Sequence, residues 1–149
     1  MDLTRVLFLC VGNAIRSQMA EGFARCYGSD VMVARSAGLA PAPGLAPFTR
    51  KVMAEKNIDL GEAYPKAITE FDLKEFDLIV NMSGITLARL SGPAVREWKV
   101  PDPIGGDEER YRQTANQIEM LVMGLILELR KARNRRLASF DTQLPPRSQ

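Results

Sequence analysis

Four short apolar runs punctuate the chain, at Val6–Leu9, Val31–Ala34, Asp77–Met82 and Glu97–Val100. The first is unbroken and has the length of a strand buried on both faces. The last reads as a strand at a sheet edge. Helical spacing fills the intervals. From Ser17 the pattern is helical until Gly28, a residue suited to a C-terminal cap. Pro47 stands where a first helical residue belongs, with Phe48 to Lys56 following, and Asn57 to Gly61 breaks the pattern. Thr69 to Phe76 reads as a short helix with Thr69 near its cap, and Ile85 to Leu90 as a helical turn. A long helix starts after Gly105-Gly106-Asp107, with Asp107, Glu108 and Glu109 complementing its dipole. In it Tyr111, Ala115, Ile118, Leu121, Val122, Leu125, Ile126 and Leu129 recur at helical spacing, so one face packs on a sheet. After Phe140 the chain is polar and Pro-rich. The expectation is one domain over residues 1–140 and a loose tail over 141–149.

Strands alternating with helices predict a doubly wound α/β domain, a three-layer sandwich around a four-stranded parallel sheet. Such sheets bind ligands beyond the carboxyl ends of their strands. Cys10, Ser36 and Asp102 each follow a predicted strand, which places all three on one edge.

Composition narrows the chemistry. The chain has 149 residues, 46% hydrophobic and 26% charged, the proportions of an ordinary globular protein. No stretch approaches a membrane span, and the N-terminal apolar run is too short for a secretory segment. The expectation is a cytoplasmic protein without a membrane partner. A net charge of +2 is too small to indicate nucleic acid binding. Positive residues do cluster at Arg130–Arg136, either as the solvated, dipole-compatible end of the last helix or as a docking patch for an acidic partner. Two cysteines give no disulfide scaffold. The absence of histidine excludes Ser-His-Asp and Cys-His catalysis and argues against a zinc site; no metal and no cofactor is expected.

The chemistry concentrates in Cys10-Val11-Gly12-Asn13-Ala14-Ile15-Arg16-Ser17, between the end of the first strand and the onset of the first helix. Such a loop aims successive N–H groups and the positive end of a helix dipole at one point, which suits a phosphate-sized oxyanion. Cys10 would lie beneath it. The thiolate is the nucleophile, and a helix N-terminus with a nearby arginine stabilises it. Arg16 supplies a planar, permanently charged fork for two oxygens. Gly12 lets the backbone approach the anion, Asn13 tolerates a left-handed turn, and Ser17 can donate to the sulfur as it leaves. The plain alternative is a structural cysteine in an ordinary strand-to-helix turn.

This loop resembles that of the low-molecular-weight protein tyrosine phosphatases and of the thioredoxin-coupled arsenate reductases that share their fold. Gln18-Met-Ala-Glu-Gly-Phe-Ala24 looks more like the arsenate reductase branch. Ser36-Ala37-Gly38 and Asp102-Pro103 are further matches, and the resemblance covers roughly Arg5 to Arg130. It implies the phosphotyrosine phosphatase I-like fold, a Ser36 hydroxyl bonded to the Asn13 side chain, and Asp102 as the acid that protonates the leaving group. The implied activity is hydrolysis of a phosphorylated protein or small phosphomonoester through a phosphocysteine on Cys10. The alternatives are an arsenate reductase using an external thiol and a non-catalytic oxyanion-binding module. Three departures bear on the choice. Ile15 stands where many such loops carry a second cysteine. Ile104-Gly105-Gly106 follows Asp102-Pro103 where the tyrosine phosphatases place aromatics, and Leu39–Pro47 offers no aromatic wall. Residues 81–90 lack the two cysteines through which the thioredoxin-coupled enzymes relay electrons.

Overall fold

A computed structural model describes residues 3–87 and 92–143, the last three as backbone. The strands are β1 (Thr4–Cys10), β2 (Met32–Gly38), β3 (Leu78–Asn81) and β4 (Ala94–Glu97), and the helices α1 (Arg16–Tyr27), α2 (Pro47–Glu55) and α3 (Glu108–Gln143). The strands form one parallel sheet in the order β2-β1-β3-β4. The unbroken apolar run therefore lies centrally and is buried on both faces, while β4 takes the edge.

Alternation along β1 divides the core. Val6, Phe8 and Cys10 face the larger cluster, with Met19 and Phe23 of α1, Val52 and Met53 of α2, and Ile118, Val122 and Ile126 of α3. Leu7 and Leu9 face the opposite side, with Ile79, Phe76, Phe71 and Leu73. Among the described residues that second face is covered by two 3-10 turns, Ile68–Glu70 and Leu73–Glu75, so the third layer is thin. The single helix expected over Thr69–Phe76 is thus two turns separated by Phe71 and Asp72. The Asp72 carboxylate accepts from Lys74 N at 3.1 Å and starts the second turn, a local bond that competes with a continuous helix.

Other boundaries moved for tertiary reasons. β2 runs on through Gly38, so Ser36 lies inside a strand, because the polar residues Arg35 and Ser36 still ladder against β1. β4 lies earlier than expected: Ala94–Glu97 pairs with Leu78–Asn81, and the Trp98–Val100 segment leaves the sheet toward the strand ends. Residues 85–87 are not helical, and the rest of the turn expected at Ile85–Leu90 lies outside the described residues. α3 continues through Gln143, past the start of the expected tail; residues 144–149 lie outside the described residues. The basic stretch Arg130–Arg136 therefore lies within the helix rather than at its end, and it is partly neutralised within the chain. Arg130 and Arg133 reach Asp30 at 2.9 and 3.2 Å, and the bond from Arg130 holds the Asp30 carboxyl down at about 2. Among the described residues no helix is long and apolar enough to cross a membrane.

Gly28 does close α1, donating to Ala24 O at 2.8 Å, but not through a left-handed cap. Its φ of −128° is open to any residue. Space is the constraint: a Cβ there would lie 2.7 Å from Ile126 Cγ1, in fully buried packing between α1 and α3. Gly28→Ala should therefore destabilise the fold by about 1–3 kcal/mol through overpacking. The check is urea denaturation, with a lower midpoint at an unchanged slope expected.

Candidate active site

β1 delivers Cys10 to the carboxyl edge of the sheet, where it pairs with Gly38. Beyond it the backbone turns its carbonyls outward. Cys10 O, Val11 O and Gly12 O accept from the N–H groups of Leu39, Ala40 and Ala42 at 3.1, 2.8 and 2.9 Å. Ala14 O accepts from Ala46 N at 3.3 Å and Thr49 Oγ1 at 2.9 Å. A peptide unit whose carbonyl is committed outward presents its N–H on the inner side. The Pro-rich segment after β2 thus serves as a backing strip for the cradle. Inside, Cys10 Sγ lies 3.3 Å from the Asn13 N–H donor and 2.9 Å from Ser17 Oγ. α1 has no acidic residue in its first turn, so nothing there competes with an anion at its N-terminus.

Two residues let the loop close. Asn13 adopts φ 51°, the left-handed conformation expected of it. The close approach of one backbone segment to another falls at Gly38. A Cβ at Gly38 would sit 2.7 Å from Val11 O and 2.9 Å from Asn13 N, whereas one at Gly12 would meet Ala42 Cβ at an ordinary 3.6 Å.

The expected bond between Ser36 and Asn13 is not formed. Ser36 Oγ donates instead to Glu21 Oε1 at 2.5 Å, and Glu21 Oε2 pairs with Arg25 at 2.6 Å. Glu21 is buried on α1, and a buried carboxylate draws the nearest donors to itself. Asn13 is served by other groups. Its Nδ2 donates to Ser17 Oγ at 2.7 Å, and its Oδ1 accepts from Lys66 N at 2.8 Å and Gln18 Nε2 at 3.1 Å. Ser36 thus supports α1 rather than the loop. Gln18 and the Lys66 backbone were not singled out as site residues from the sequence, where Gln18 figured only in the Gln18–Ala24 resemblance.

Arg16 is 5% exposed, and its charge is compensated within the site. Nη1 donates to Met82 O at 2.5 Å and Val100 O at 3.0 Å, and Nη2 reaches Asp102 Oδ2 at 3.3 Å. The three residues predicted to carry the chemistry, Cys10, Arg16 and Asp102, line one cleft of about 210 Å³ with loop residues Val11, Gly12, Ala14 and Ile15. Asp102 stands at its mouth, its side chain 38% exposed and its Oδ1 accepting from Ile104 N at 3.1 Å. Tyr111, expected only as a core residue, packs behind: burial first, then the Asp102 carboxylate, push its hydroxyl above the usual range. Ala40, Ala42 and Ile104 form the walls, and no aromatic residue lines the cleft among the described residues. Such a site can hold a tetrahedral oxyanion over a thiol with a carboxyl group at its open side. Cys26, the other cysteine, is free and exposed on α1. At 1.5 Å per residue it lies roughly 13 Å along the helix from Ser17, too far for a disulfide with Cys10 as the site stands. No cluster of metal-ligating side chains occurs among the described residues.

Comparison with known proteins agrees with this geometry. A glutaredoxin arsenate reductase of Synechocystis sp. is 28% identical over 131 residues, covering 85% of this chain and 99% of that protein. An arsenate reductase of Bacillus subtilis is 36% identical over 118 residues, 74% of this chain and 84% of the relative. The solved structure of an arsenate reductase in the phosphate binding state superposes with a TM-score of 0.78 at 27% identity, over 85% of this chain and 99% of its own. The family model for low molecular weight phosphotyrosine protein phosphatases matches residues 5–135. The chain, with its parallel sheet and its Cys10–Ser17 loop at the end of β1, belongs to that family.

Proposed function

We propose that this chain is an arsenate reductase that works with an external thiol. The observation that carries the reading is the small, non-aromatic cleft over Cys10, which suits an inorganic oxyanion better than an aryl ester. The names of the relatives, arsenate reductases across bacteria and archaea, support it. Arsenate enters the cradle as phosphate would. The Cys10 thiolate attacks arsenic, a hydroxyl group departs as water with a proton from Asp102, and a Cys10–arsenic bond remains. Arg16 and the loop N–H groups hold the oxygens throughout, the role in which preorganised donors contribute most. A thiolate from solution then attacks Cys10 sulfur. The sulfur–arsenic electron pair leaves with arsenic, which departs as arsenite, and a mixed disulfide forms on Cys10. A second thiol reduces it, so two thiols become one disulfide for each arsenate. The external thiol is required because the segment after β3 brings no cysteine and Cys26 lies on the exposed side of α1.

Phosphomonoester hydrolysis is the second reading. It is favoured by Asp102, whose carboxylate at the cleft mouth stands where a leaving oxygen would need a proton. Cys10 would then carry a phosphoryl group that water removes. Side-by-side kinetics separate the two. Arsenate-dependent oxidation of glutathione or a dithiol should exceed turnover of an aryl phosphate in kcat/KM; the reverse order would favour the phosphatase.

Cys10→Ser should abolish both activities while inorganic phosphate still binds, since the cradle and Arg16 remain. Isothermal titration with phosphate checks the binding, and residual turnover by the clean variant would remove Cys10 as nucleophile. For Asp102→Asn, loss should be large with poor leaving groups and smaller with an activated aryl phosphate, which needs little protonation. An equal loss across a leaving-group series would argue against Asp102 as the acid.

A further inference from the structure

We infer that Gln18 is a positioning residue for the oxyanion loop, acting through Asn13; the inference rests on the reading of residues 10–17 as an oxyanion cradle. Gln18 lies in the first turns of α1 and is 2% exposed. Burying a primary amide costs free energy unless its hydrogen bonds are made, so an amide at this depth must be matched. Both N–H groups are used: Nε2 donates to Asn13 Oδ1 and to Tyr64 O, each at 3.1 Å. With Lys66 N–H at 2.8 Å, two donors converge on the single oxygen of Asn13 and fill its two lone pairs.

The orientation of these amides follows from their neighbours. Lys66 N–H can only donate, so the Asn13 atom facing it is the oxygen. Tyr64 O can only accept, so the Gln18 atom facing it is the nitrogen. The Asn13 nitrogen is then left to Ser17 Oγ at 2.7 Å, and Ser17 Oγ stands 2.9 Å from Cys10 Sγ. A chain of bonds thus runs from Gln18 through Asn13 and Ser17 to the sulfur. At the centre of it, Asn13 holds φ 51° and donates its own N–H to Cys10 Sγ at 3.3 Å. A left-handed residue other than glycine is strained and persists only when its surroundings fix it. Gln18 supplies that fixing from the helix, and the segment carrying Tyr64 and Lys66 supplies it from the far side. Gln18 Nε2 ties the two together.

The test is on the full chain in the Cys26→Ser background, so that Cys10 is the one thiol present. Gln18→Met keeps the length and bulk of the side chain and removes the amide. Amide proton–nitrogen NMR spectra, recorded alone and titrated with inorganic phosphate, read the loop directly. Resonances of residues 11–16 should move while those of α3 stay. Phosphate affinity should fall roughly 2- to 13-fold, the worth of one net hydrogen bond. In the Asn13→Ala background the same substitution should cost little further affinity, since its target is gone. Unchanged loop resonances with unchanged phosphate affinity would overturn the assignment, as would fully additive losses in the double variant. If Gln18→Met does not fold, Gln18→Ala takes its place under the same criteria. Its shortened side chain opens into the cleft of about 290 Å³ that Gln18 already lines with Gly22 and Leu60, not into sealed core. A wild-type chain that binds no phosphate would overturn the oxyanion reading itself. The loop resonances, which need no ligand, would still decide the role of Gln18.

Discussion

A cradle of backbone N–H groups can face inward only if the carbonyls of the same peptides are satisfied outside. That constraint organises the site. Peptide groups buried without partners cost more than the net worth of the bonds they make. The loop after β1 meets the requirement by running against residues 39–46, whose N–H groups take the outward carbonyls. The segment therefore needs an accessible backbone and small side chains more than particular chemistry, and it supplies Ala40, Ala42 and Ala46. The glycine that permits the approach is Gly38 at the end of β2, where backbone atoms of the loop come within Cβ contact distance.

A second requirement is the burial of a full charge. The Arg16 guanidinium is taken out of water, and the carbonyls of Met82 and Val100, with the Asp102 carboxylate, replace the lost hydration. Those groups lie beyond β3 and beyond β4, on chain segments far from Arg16 in sequence. The parallel order β2-β1-β3-β4 is what brings them to one edge. Arg16 consequently has two duties. It fastens the strand-end loops to one another, and it places a planar cation in the cleft that Cys10 also lines. The same fastening fixes Asp102 at the cleft mouth, so its position follows from the sheet as much as from the turn at Pro103.

In the proposed reading the cleft walls decide what the cradle accepts. The loop alone is indifferent among tetrahedral oxyanions, because backbone N–H groups recognise charge and shape. Ala40, Ala42 and Ile104 line the cleft of about 210 Å³ without an aromatic face among the described residues, and the proposed preference for a small inorganic oxyanion rests on that lining. With only one thiol at the site, the reducing equivalents of the proposed reaction must come from solution.

The sequence by itself determined the elements whose causes are local. The apolar run before Cys10, the helix onset near Ser17, Pro47 at the start of α2 and the acidic start of α3 were legible because strand burial, capping and dipole terms act over a few residues. It also placed Cys10 and Asp102 beyond strand ends at one edge, since strand-helix alternation admits few topologies, but it set Ser36 there too, and Ser36 lies inside β2. What it left open depended on contacts between distant segments. β4 was displaced toward Ala94 because pairing with β3, not its own apolar content, sets where an edge strand lies. Ser36 was drawn to Glu21 because a buried carboxylate takes the nearest donor, and no local pattern reveals which carboxylates become buried. Gln18 and the Lys66 backbone reach Asn13 only once α1, β2 and the segment beyond it have packed. Only the tertiary structure could decide that partnership, because the groups that hold Asn13 in its left-handed turn come from α1 and from the segment carrying Lys66, which are far apart in sequence.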